Sequence, residues 1–204
     1  MNPTRNILTV LSIGAFAVLA AGTGDSGSSG PASNPTSSRE PAAPPTPMPA
    51  DEQAFCDAVQ EATQAYEAMQ GDGANQLKLS KLRTSRGAAL RAALPSRAAK
   101  AWAGTISKLS TNSDGQAVVA VELPCGVEVK TWNNALSDIE DGTLISQKSA
   151  LFGVLADLKV GMSIQFSGRF LPDRVTGFKE SSLTEAGSMK EPEFLMKFSA
   201  ASAR

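Results

Sequence analysis

Trp132 lies in the run Lys130-Thr131-Trp132-Asn133-Asn134, where an ammonium, an indole and an amide fall within four residues. An indole beside such groups can stack on a flat ring while its neighbours hydrogen-bond the ring's edge. Strand alternation sets Trp132 on the face shared with Glu128 and Lys130, so an exposed ring there would take a nucleobase or a sugar. Arg169, Arg174 and Lys179 are further cations that could ring a binding loop. Lys130, Trp132, Asn133, Arg169 and Lys179 are the candidate ligand-binding residues. The competing reading has N-terminal helices covering this face and burying Trp132 as packing.

Covalent catalysis has little to work with. The chain has no histidine, which removes Ser-His-Asp and Cys-His devices. No Ser-x-x-Lys pair and no phosphate-cradling glycine loop is present. The reading is a protein that is not an enzyme and needs no cofactor. Two cysteines, Cys56 and Cys125, are too few for a tetrahedral metal site without histidine, and in an exported chain an even count predicts a disulfide between them. Asp138, Glu140 and Asp141 crowd one loop and offer oxygen ligands of the kind Ca²⁺ prefers, but turn-making and capping account for such loops more often. No metal site is assigned.

Compartment is written in the first fifty residues. Arg5 precedes an apolar run, Ile7 to Ala21, too short to span a bilayer comfortably, and Val18-Leu19-Ala20 offers a cleavage site of small residues. Residues 1–21 read as a signal peptide, with retention as an uncleaved anchor the alternative. Leu19-Ala20-Ala21-Gly22-Thr23 looks like the start of a bacterial lipoprotein, except that Thr23 stands where the lipidated cysteine would be. The expected location is periplasmic or secreted. Seven of the twelve prolines, six serines and three glycines between Gly24 and Ala50 make residues 22–50 a linker without a core.

Residues 51–100 read as a helical hairpin. Phe55, Val59, Ala62, Tyr66 and Met69 recur at helical spacing, with Asp51 as N-cap and Gly71-Asp72-Gly73 as the stop. A second helix follows from Asn75 to Leu94, its stripe interrupted near Gly87 and its end set by Pro95. Residues 51–74 carry acids and no bases, whereas residues 75–100 carry Lys78, Lys81, Arg83, Arg86, Arg91, Arg97 and Lys100 and no acid. Pairing between the two helices is the simpler account, and a docking face for an anionic partner is the other.

From Trp102 the period changes to two. Trp102, Gly104 and Ile106 alternate with other residues, Asn112-Ser113-Asp114-Gly115 turns the chain, and Ala117, Val119, Val121 and Leu123 alternate again. A third strand follows around Val127, Val129 and Thr131. Ser149 to Leu158 reads as a short helix, and Met162 to Phe170 and Phe194 to Phe198 as the last strands. Three strands, a helix and two strands is the order of an OB-fold, a five-stranded Greek-key barrel with its helix between strands three and four. The predicted fold class is therefore α+β, with this barrel over residues 101–204 joined to the helical hairpin in one globular unit, residues 51–204.

Three segments also carry a resemblance to a family: Lys130-Thr131-Trp132-Asn133-Asn134, Asp141-Gly142-Thr143-Leu144-Ile145 and Glu180-Ser181-Ser182-Leu183-Thr184-Glu185. They resemble segments of uncharacterised bacterial exported OB-fold proteins, often described as nucleic-acid-binding lipoproteins. The resemblance implies a fold far better than a ligand, because OB-folds bind oligonucleotides, sugars, proteins and small molecules alike. With 5% aromatic residues and a net charge of −1, the chain lacks the usual footprint of a nucleic-acid platform. The expected partner is a protein or an envelope component, with single-stranded nucleic acid as the alternative.

Overall fold

A computed structural model describes residues 47–70 and 75–204. The predicted signal peptide and all but the end of the predicted linker lie outside the described residues. In order, the elements are α1 (Ala50–Gln70), α2 (Gln76–Ala93), β1 (Ala98–Thr111), β2 (Ala117–Glu122), β3 (Glu128–Lys130), α3 (Ala135–Asp138), α4 (Ala150–Ala156), β4 (Ser163–Phe170), α5 (Glu185–Lys190) and β5 (Glu193–Ala203). The strands close into a barrel in the order β1-β2-β3-β5-β4, and β4 returns to β1. All pairs are antiparallel except β3 with β5. The fold is thus α+β around a closed five-stranded barrel.

The helical stripe of α1 buries Phe55, Cys56, Val59, Ala62 and Tyr66. Phe55 enters the barrel's aromatic cluster, its ring centroid 5.0 Å from Phe170, 5.2 Å from Phe194, 5.3 Å from Trp102 and 5.8 Å from Phe178. Asp51 is not the N-cap. The helix begins one residue earlier, the Pro49 carbonyl accepts from the Gln53 amide at 3.0 Å, and the Asp51 carboxylate accepts from the Glu52 amide at 3.0 Å. Asn75 does cap α2, its side chain accepting from the Lys78 amide at 3.0 Å. The break in the α2 stripe is a close approach: a Cβ on Gly87 would stand 2.5 Å from the Thr176 carbonyl oxygen.

The opposite charges of α1 and α2 do not meet as the sequence suggests. Among the described residues, the ion pairs of α2 go to the segment leading into α5 and to α5 itself: Arg86 to Glu180, and Arg83 to Glu185 at 2.9 Å. Arg86 is buried, donates from Nη1 to the Ser188 carbonyl at 2.6 Å, and stacks 5.7 Å from the Phe194 ring centroid. Cys56 and Cys125 are joined, with Cα atoms 5.8 Å apart, which pins α1 to the corner between β2 and β3.

Glu52 is fully buried, and one of its carboxylate oxygens accepts from the Ala103 amide at 3.0 Å while the other has no hydrogen-bond partner in the described structure. Burial pushes its pKa above the ordinary 4.5, more than the Ala103 bond and the Arg204 charge pull it down. The fold therefore favours the protonated acid. Its contribution to stability is present below the unfolded pKa and is lost as pH rises through the folded one. Glu52→Gln, which keeps the acceptor for Ala103, should raise the melting midpoint at pH 7 and lose that advantage towards pH ~4. An equal difference at both pH values would show that the carboxyl does not titrate with the fold.

Candidate functional site

The outer face of β1, β2 and β3 carries a groove of about 310 Å³. Register explains its layout: Lys108 of β1 lies opposite Ala120 of β2, and Ala120 lies opposite Lys130 of β3. Small buried residues, Val118 and Ala120, line the groove between the two lysines. Glu128, Asn133, Ser181 and Glu193 add polar groups, and Leu183 is fully exposed at this site. The α1 and α2 helices contribute no lining residue, so the N-terminal helices do not cover this face.

Trp132 is half-buried by its own loop. The chain leaves the strand after Lys130: Thr131 keeps its amide on the Val119 carbonyl at 2.9 Å, and the Trp132 amide donates to Thr143 Oγ1 at 2.8 Å. Thr143 Oγ1 in turn donates to Asp138 at 2.6 Å, and Asp138 also accepts from the amides of Thr143 and Leu144. That loop is tied to the barrel by paired backbone bonds between Ala117 and Ile145. The indole Nε1 donates to Asp141 Oδ2 at 2.6 Å, and Lys179 Nζ donates to both oxygens of the same carboxylate at 2.9 and 2.6 Å. Burial would raise the Asp141 pKa, but the bonds from Lys179 and Trp132 outweigh it and hold the carboxyl below its ordinary range. The ring's edge is therefore fixed by an ionised partner, and the half-buried ring lines the groove.

Lys130 sits between two carboxylates, 2.5 Å from Glu193 and 3.2 Å from Glu128. Ser181 Oγ donates to Glu193, and Ser107 Oγ donates to Glu128 at 2.9 Å. Burial works to raise the Glu193 pKa, yet the bonds from Lys130 and Ser181 and the Lys130 charge bring it below the ordinary value. Among the described residues, Lys108 makes no ion pair. The lining thus balances two ammonium groups against two carboxylates, with three of these four charges already committed to one another.

Of the residues singled out from sequence, Lys130, Trp132 and Asn133 line the groove, and Lys179 reaches it through Asp141. Arg169 does not belong with them. It is exposed on β4, paired in register with Ala98 and Lys197, and its Nη1 donates to the Ser96 carbonyl at 3.0 Å. Alternation correctly turned Arg169 outward but could not say towards which side of a closed barrel. Asp138 and Asp141 spend their carboxylates on different partners, a turn and an ion pair, and among the described residues no acidic, cysteine or histidine group is placed to hold a metal. Lys108, Glu193, Ser181 and Leu183 were missed. Strict alternation from the buried Ile106 would turn Lys108 inward, and it is a register shift between these two residues that brings it to the outer face. Glu193 arrives through the parallel pairing of β3 with β5, and Ser181 through its amide bond to the Glu193 carbonyl, and the sequence carries no local signal for either. No helix among the described residues is long and apolar enough to cross a membrane. Comparison with known proteins adds no relative: no family model, curated protein or solved structure matches this chain.

Proposed function

We propose that this is an exported, non-enzymatic binding protein that engages a protein or envelope component through the β1-β2-β3 groove. The barrel is read as an OB-fold of Greek-key type, with α4 between β3 and β4 and a helical hairpin before it; the strand order β1-β2-β3-β5-β4 supports this. The Cys56–Cys125 disulfide supports an oxidising compartment, and hence a periplasmic or secreted location after removal of a signal peptide. One observation carries the choice of binding over chemistry and of this face over others: an indole pre-positioned by Asp141 and Lys179 at a groove whose charges are mutually neutralised. Single-stranded nucleic acid, the ligand suggested by the resemblance to exported OB-fold lipoproteins, is the second reading. Against it, a phosphate strand would meet Glu128 and Glu193 with only Lys108 uncommitted.

Polarisation of labelled oligonucleotides, alongside retention of the protein on an isolated envelope fraction, separates the two. The expected result is retention that changes little between low and moderate salt and is lost in Trp132→Ala. Oligonucleotide affinity that falls steeply with salt and with Trp132→Ala would replace the first reading by the second.

A further inference from the structure

Resting on the reading of the groove as a binding site, we infer that its ligand is an uncharged saccharide of the envelope, with a sugar ring lying on the face of Trp132. A sugar ring presents hydroxyls that both donate and accept, and a patch of C–H bonds on its flat side. It is matched by carboxylates as acceptors, by ammonium and amide groups as donors, and by an aromatic face. The groove holds that combination: Glu128 and Glu193, Lys108 and Asn133, and the indole of Trp132. Because the indole N–H is bonded to Asp141, stacking is the contact left to it.

Two other ligand classes fit less well. Phosphodiester chains present a ladder of acceptors and no donors, so the two carboxylates would repel them while Lys130 is already shared between those same carboxylates. Extended polypeptides commonly dock by adding to a free strand edge. Here β3 is paired on one side with β2 and on the other with β5, and the barrel is closed, so the groove offers no edge to extend. A volume of about 310 Å³ is at the small end for a ligand site and suits a short saccharide segment.

The test uses the full chain, whose two tryptophans differ usefully: Trp102 is 0% exposed in the core, so a ligand-induced change in emission reports Trp132. Chitotriose, cellotriose and a thymidine oligonucleotide are titrated separately, with calorimetry for the variants. At least one neutral trisaccharide should give a saturable change that is insensitive to salt, and Trp132→Ala should weaken it by about tenfold or more. Glu193→Gln should weaken binding severalfold with its melting midpoint recorded as a check on folding. No saturable response to either sugar up to about 10 mM, or saccharide binding untouched by Trp132→Ala, would overturn the inference. Envelope retention that persists and depends on Trp132 would then leave the broader reading standing, whereas salt-sensitive oligonucleotide binding would remove both.

Discussion

Arg86→Ala should cost the fold about 3–5 kcal/mol, because it leaves Glu180 as a buried charge with no counter-ion. Both partners of the pair are almost wholly inaccessible, at 0% and 5% side-chain exposure. Burial is the first cause of each displacement, lowering the pKa of Arg86 and raising that of Glu180, and each partner's charge works against it in the other. The guanidinium also donates to the Ser188 carbonyl and covers the Phe194 ring, so one side chain joins α2 to α5 and to β5. For a domain of this size the melting midpoint should fall by roughly 10 °C. The loss belongs to the broken pair more than to the pair itself. Arg86→Met combined with Glu180→Leu, which removes both charges and keeps volume, should recover most of it. A single Arg86→Ala variant within about 1 kcal/mol of the parent would overturn this, and would mean that the unpaired Glu180 takes up a proton or reaches water.

What the sequence disclosed and what it hid divide along locality. The alternation from Ala117 to Leu123 and from Met162 to Phe170 and the stripe from Phe55 to Met69 are periodic, and each became the element its period implies. The stretch from Leu171 to Pro192 has no such period. It contains α5, six residues long and capped by Thr184, and it supplies Lys179, Glu180, Ser181, Leu183 and Glu185 to partners far away in the chain. Proximity in sequence pairs Arg83 and Arg86 with the neighbouring acidic helix, but their ion-pair partners lie 102 and 94 residues away. The same limit applied to the site. Trp132 and Lys130 were visible because they share a strand pattern, but the clamp from Asp141 and Lys179 spans 38 residues and depends on the path of two loops.

Loss of the Cys56–Cys125 bridge should destabilise by a comparable amount, through the opposite state. With the cysteines 69 positions apart in sequence, closing the loop lowers the entropy of the unfolded chain by an equivalent of about 4 kcal/mol. Cys125 is half-buried beside a polar groove lined by Gln60, Thr63 and Gln64, which gives a small reductant a route to its sulfur, whereas Cys56 is buried in the core. Reductant should therefore lower the midpoint of the parent by roughly 10 °C, to that of Cys56→Ala/Cys125→Ala, and leave the variant unmoved. A parent insensitive to complete reduction, verified by thiol titration, would refute this. Combining the bridge variant with Arg86→Ala tests how the helices are held. The disulfide attaches α1 to the β2–β3 corner, and Arg86 attaches α2 to α5 and β5. If the two attachments act independently, the costs should add to within about 0.5 kcal/mol. A double variant clearly less damaged than that sum would mean that releasing either helix already frees the other, so that α1 and α2 dock on the barrel as one cooperative unit.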